Sequence, residues 1–256
     1  MRRYPSRGPT YSSFSFGPGP LSSAIKALMA VNVAVFLIMW LMPSGVRHAT
    51  QEFLGLLPSA IFESFRVWQP VTYMFLHDTQ AFGHILFNML ALWMFGTELE
   101  RMWGTKAFLR YYFATGIAAA ITTILVSLMP FPSTAPLFHT VTIGASGAIY
   151  GLLLAYGLTF PNRPIYIYFI FAIPAKYFVM IMGAIALLSS MGGTGGGIAH
   201  ITHLGGLLAG FVMLRGRRLS PANEVRYRYL RWKMDRARKK FGVYSGGKND
   251  WDKHVH

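Results

Sequence analysis

The sequence predicts an all-α polytopic membrane protein, six spanning helices with a half-submerged loop between the first two. Three observations carry this. Of 256 residues, 53% are hydrophobic and 13% charged, with mean hydropathy +0.38. The apolar residues come in long blocks, several approaching the roughly 20 residues a helix needs to cross about 30 Å of hydrocarbon. The net charge of +15 gathers at the two ends and in short connections, where the positive-inside rule reads it as cytoplasmic. No reading motif accompanies that charge, which argues against nucleic acid. Zero cysteines exclude disulfides and thiolate metal sites.

Residues 1–21 hold Arg2, Arg3 and Arg7 among Gly, Pro and Ser, with no apolar core before a cleavage site, so they read as a disordered cytosolic tail. The first span covers 24–41, with Lys26 snorkelling at its start and Pro43 ending it. Residues 44–82 carry amphipathic pieces at 53–57 and 61–65, too short to cross, which suggests a loop lying in the outer interface, with Arg47 and Arg66 as its cations. The second span, 83–102, is closed by Arg101 and Lys106, and the third covers 107–128. The connection 129–141 contains Pro130, Pro132 and Pro136 but no Lys or Arg, so it is external.

A turn of small residues, 142–147, opens the fourth span, which closes at Pro161-Asn162-Arg163-Pro164. Arg163 and Lys176 bracket a Tyr/Phe/Ile-rich interfacial stretch on the inside. The fifth span covers 177–188, the Gly-rich 192–197 is external, and the sixth, 198–214, meets Arg215, Arg217 and Arg218. Six spans put both termini on one side, giving a tail (1–21), a membrane domain (22–216) and a basic, partly helical cytosolic tail (217–256). The last opens with the helix-start pair Ser220-Pro221 and runs through Arg226, Arg228, Arg231, Lys233, Arg236, Arg238, Lys239 and Lys240, interleaved with Tyr229, Leu230, Trp232 and Phe241. It reads either as a helix held on anionic lipid or as a solvated basic helix that fixes topology.

Polar side chains inside spans are costly, and each is a candidate for function. They are Asn32, His84, Asn88, Ser146, His200, Thr202 and His203. Glu98 and Glu100 fall at the inner end of the second span, leaving no carboxylate at depth. Ser146 stands about 15 residues, roughly 22 Å, above Pro161, so its hydroxyl lies below the opposite surface. Irregular backbone there persists only beside protein or a water-filled cavity, which implies a polar pocket. The hydroxyl is expected to cap a helix N-terminus, where unpaired N–H groups and the positive dipole end favour developing negative charge.

His203 lies about 12 residues, roughly 18 Å, above Arg215, at a similar height. Gly147 and Gly151 form one small-xxx-small pair and Gly206 and Gly210 another, permitting close approach of the two helices. A Ser/His dyad follows, without a carboxylate to orient the imidazole. Tyr150, one turn from Ser146, is placed to stack under the ring. His84 and Asn88 share a helix face and, with the Ser146 N–H, would supply donors to an oxyanion. His200 is assigned to the pocket mouth. Taken singly, each has an ordinary reading: a serine bonded back to its own helix, a histidine among headgroups, an interhelical asparagine. His84, His200 and His203 also invite a metal, but no Cys, HExxH or buried carboxylate completes a ligand set, so neither metal nor another cofactor is expected.

These residues resemble those of the rhomboid intramembrane serine proteases across residues 24–215. The resemblance rests on GASG at 144–147 with Tyr150, HLGGLLAG at 203–210, HILFN at 84–88, and GTELERMWG at 96–104, with Gly96, Glu100 and Gly104 in the family's spacing. It implies Ser146 as nucleophile, His203 as general base and then acid, and His84, Asn88 and the Ser146 amide as oxyanion donors, with Gly144, Tyr150, Gly206, Gly210 and His200 in support. It further implies an acyl-enzyme route to cleavage in or beside transmembrane segments of other proteins. A multi-pass bacterial inner-membrane location is expected, with cytoplasmic termini and a site opening outward. One departure is Trp68-Gln69, where many members carry Trp-Arg. Two rival readings stay open at this stage: a catalytically silent relative that binds client helices, and a small metal or solute permease.

Overall fold

The computed structural model describes residues 17–132, 134–167, 171–191, 197–218, 229, 231–234 and 236. Most of the expected N-terminal tail, the glycine-rich connection at 192–196, Ser220-Pro221 and most of the basic tail, including Arg226, Arg228, Leu230, Arg238, Lys239, Lys240 and Phe241, lie outside those residues. By contact, the chain divides into Met1–Met213 and Leu214–His256. In the second unit, the Arg236 guanidinium sits 4.9 Å over the Trp232 ring, with Tyr229 6.1 Å from the same ring.

The first apolar block is helix α1, Ser23–Leu41. Its leading N–H groups have no partners in their own helix. Glu100 supplies them, accepting from Ala24 N at 3.0 Å and Ile25 N at 3.2 Å, and also from the Ser22 and Thr105 hydroxyls. The mixed stretch that follows folds into short helices: α2 (Ser44–Leu54), α3 (Pro58–Ser64) and α4 (Gln69–Thr72), then a 3-10 turn at Tyr73–Phe75.

The last carbonyls of α2 are taken up by side chains from beyond it. Arg66 and Gln69 donate to Glu52 O, Trp68 Nε1 donates to Phe53 O, and Thr72 Oγ1 donates to Leu54 O. Gln69 is fully buried and also accepts from Leu57 N at 2.9 Å. The residue that departs from the family pattern therefore ties this loop together.

The second apolar block is three pieces in line: α5 (Phe82–Ala91), a π-helical turn (Leu92–Gly96) and α6 (Thr97–Trp103). Gly104, at φ +78°, breaks the chain before α7, Thr105–Ser127. A short α8, Ala135–Phe138, interrupts the proline-rich connection. Helix α9, Ser146–Thr159, is buried along most of its length and packs chiefly against α7.

The interfacial stretch expected after Arg163 is an antiparallel hairpin, β1 (Pro164–Ile167) with β2 (Phe171–Pro174), its ends paired Pro164 to Pro174. Alternating β-branched and aromatic residues suit that pairing. Helices α10 (Ala175–Met191) and α11 (Gly197–Arg218) follow. Among the described residues, α1 and α7 are long and apolar enough to cross a membrane. Large apolar side chains face outward on α1 (Leu37, Ile38, Leu41) and α10 (Met180, Leu188), a surface suited to lipid rather than water.

Candidate active site

The site is set by the segment entering α9. Residues 141–144 are irregular, but their backbone is held at three points. Leu56 and Thr142 exchange both hydrogen bonds, at 2.9 and 2.8 Å, and Gly144 N donates to Tyr73 O at 2.9 Å. Gly144 sits at φ +123°, a conformation open to glycine and not to residues with a Cβ. The Tyr73 hydroxyl in turn donates to Gly116 O on α7 at 2.7 Å, anchoring the turn to that helix.

Ser146 is the first residue of α9, and Ala145 holds the N-cap position. This corrects the expected capping role: the Ser146 side chain makes no cap bond and points elsewhere. Its Oγ lies 2.8 Å from His203 Nε2 on α11. The imidazole stacks on the Tyr150 ring, centroids 4.2 Å apart and planes 7° from parallel. His203 Nδ1 is buried without a partner. A hydroxyl bonded to an unprotonated ring nitrogen can be deprotonated as it attacks, which is the arrangement nucleophilic catalysis needs.

The glycine contacts that bring the two helices together are less symmetrical than the spacing suggested. A Cβ on Gly206 would collide with Gly147 O, and one on Gly210 would lie 3.2 Å from Gly151 Cα. The α9 glycines instead face α7: a Cβ on Gly147 would meet Ala119 at 2.8 Å, and one on Gly151 would meet Thr115 at 2.7 Å. Gly147 and Gly151 therefore seat α9 on α7, whereas Gly206 and Gly210 let α11 rest on α9.

His84 approaches from α5. A Cβ on Gly144 would stand 2.8 Å from His84 Nε2 and 3.7 Å from Ser146 Oγ, so both polar atoms border the space beside that glycine. Asn88 is buried and donates from Nδ2 to His84 O at 2.6 Å, engaging one of its two amide hydrogens within its own helix. The His200 ring meets His203 edge-on, centroids 5.6 Å apart, with its own Nδ1 buried and unpartnered. Asn32 donates to Leu28 O within α1, and the Thr202 and Thr123 hydroxyls lie 2.7 Å apart.

A cavity of about 460 Å³ opens beside His84, lined also by Arg47, Gln51, Asp78, Gln80 and Thr142. It borders the turn before α9 rather than Ser146 itself. Among the described residues, no group of three His, Cys, Asp or Glu could hold a metal.

Sequence reasoning missed His77 and Asp78. His77 is buried with both ring nitrogens unpartnered, its ring 5.2 Å from that of His84. Asp78 N donates to His84 Nδ1 at 3.3 Å. The signal available was HDTQAFGH at 77–84, two histidines flanking a turn-forming Asp.

A family profile described as "Rhomboid domain" matches residues 64–218. "Rhomboid protein 1, mitochondrial" of Saccharomyces cerevisiae is 32% identical over 84% of this chain and 58% of its own length. "Rhomboid protease GluP" of Bacillus subtilis is 29% identical over 72% of this chain and 32% of its own. "Rhomboid protease AarA" of Providencia stuartii is 26% identical, with 72% and 68% covered. The chain thus spans about a third to two thirds of these relatives. With the profile covering more than half of a mostly helical, strongly apolar chain, this protein belongs to the rhomboid family of integral membrane proteins.

Proposed function

We propose that this protein is a serine endopeptidase of the membrane interior, hydrolysing peptide bonds in or next to transmembrane segments of other proteins. The observation that carries the reading is the 2.8 Å contact between Ser146 Oγ and His203 Nε2, on helices held together by glycine. The Ser146 hydroxyl attacks the scissile carbonyl while its proton passes to His203 Nε2. The tetrahedral intermediate collapses, the C–N bond breaks, and the leaving amine takes the proton back. Water then hydrolyses the acyl-enzyme by the same exchange.

While His203 is an imidazolium, the face of Tyr150 at 4.2 Å supplies a stabilising quadrupole. His84, Asn88 and the Ser146 amide donate to the oxyanion. His200 borders the imidazole, and Gly144, Gly206 and Gly210 provide the close approaches on which the group depends.

In this reading the six spans are α1, the α5–α6 line, α7, α9, α10 and α11, with α2–α4 half-submerged on the outer side. Both termini lie on the basic, cytoplasmic side of a bacterial inner membrane, and water enters through the polar cavity beside His84. Residues 1–21 and 217–256 flank a protease domain, and the basic tail rests on anionic lipid. Substrates are transmembrane proteins, and no cofactor takes part. The test is cleavage of a panel of single-span proteins in reconstituted bilayers. Ser146→Ala and His203→Ala are expected to abolish it with the helical fold retained; persistent turnover by Ser146→Ala would overturn the reading.

A further inference from the structure

We infer that Asp78 is a positioning residue that fixes which nitrogen of His84 carries the hydrogen, and so aims His84 as a donor; this rests on the oxyanion role proposed above. A neutral imidazole has one N–H and one acceptor nitrogen, and the partner at one nitrogen decides the state of the other. Here the Asp78 backbone N–H donates to His84 Nδ1 at 3.3 Å. Nδ1 is therefore the acceptor, and the hydrogen sits on Nε2. That is the nitrogen bordering Gly144 and Ser146 Oγ, 2.8 Å from where a Gly144 Cβ would be. The opposite tautomer would present a lone pair to a developing oxyanion and repel it.

The donor amide is itself held in place. Asp78 Oδ1 accepts from Gln80 N at 2.8 Å, closing a turn of the kind Asp side chains form two residues on. The carboxylate thereby orients the peptide plane whose N–H reaches His84. On the other side His77, buried and 5.2 Å away ring to ring, packs against His84 and limits its swing. Asp78 touches neither the nucleophile nor the scissile bond. It acts through His84, and an asparagine, which offers the same acceptor oxygen to Gln80 N, can replace it.

Three measurements test this together. In the full-length protein in bilayers, Asp78→Ala is expected to lower kcat about tenfold, a fraction of the loss from deleting a whole oxyanion donor, with KM little changed. Asp78→Asn restores most of that loss. In a His84→Ala background Asp78→Ala costs nothing further, because its effect is exerted through the missing ring. Histidine ¹⁵N shifts of His84 read the tautomer without any substrate: hydrogen on Nε2 in the natural chain, and a mixture in Asp78→Ala.

Wild-type kcat in Asp78→Ala, an equal loss with and without His84, or hydrogen on Nδ1 in the natural chain would each overturn the inference. None of these outcomes touches the Ser146 assignment, which fails separately if Ser146→Ala still turns over.

Discussion

An imidazole with no carboxylate behind it has to be oriented by packing. His203 has its Nδ1 buried without a partner, so its ring angle is set by the Tyr150 face and by the hydrogen bond to Ser146. Three of these residues were legible in the sequence, because a short helix with a leading serine and a glycine-spaced histidine leave a local pattern. His77 left a fainter one, a histidine in a loop seven residues before His84, and its burial against the His84 ring comes from the fold rather than from local sequence. Burial first, and neighbouring His84 second, pull its imidazole down from 6.5 to about 4.

The sign of the consequence follows from proton uptake. The unfolded chain protonates as pH falls through about 6.5, while folded His77 stays neutral to about 4, so stability is lost as pH falls through that window, by up to ~3 kcal/mol. Unfolding midpoints in detergent from pH 7 to pH 4 should show this decline, and His77→Leu should flatten part of it. An unchanged slope in His77→Leu would remove His77 as a cause.

Helices α9 and α11 meet at a contact with no room for a methyl group, since a Cβ at Gly206 collides with Gly147 O. Gly206→Ala must push the helices apart, an overpacking expected to cost about 1–3 kcal/mol. Because the same shift parts Ser146 from His203, activity should fall together with unfolding stability. Retained activity at lowered stability would mean that the seam does not set the dyad distance. The glycine spacing was readable in the chain, but the direction each α-carbon faces was not. Helix rotation is decided by all the neighbours at once, and α9 turns its glycines toward α7.

Two other elements escaped for related reasons. Glu100 serves the start of α1 from 76 residues away, and no local pattern records such a pairing. The β1–β2 hairpin has the β-branched and aromatic residues of strands, yet between two basic residues the stretch read as an interfacial segment. Gln69 shows the limit of pattern matching in the other direction. Gln69 stands where many members carry arginine, yet its side chain binds three backbone groups across the α2–α4 loop.

Across the whole molecule, the proposed six spans and the placement of charge predict one orientation: basic connections inside, and the α2–α4 loop and residues 129–141 outside. The absence of cysteine makes this directly measurable. Single cysteines at Ser64 and Asn162, both exposed, should react from opposite sides of sealed vesicles with a membrane-impermeant thiol reagent. Reaction of both from one side would contradict the topology.

If His203 makes Ser146 nucleophilic, covalent capture will show it. A fluorophosphonate probe followed by peptide mass analysis should place the adduct on Ser146, with labelling abolished in His203→Ala. An adduct on another residue, or undiminished labelling of Ser146 in His203→Ala, would contradict the account.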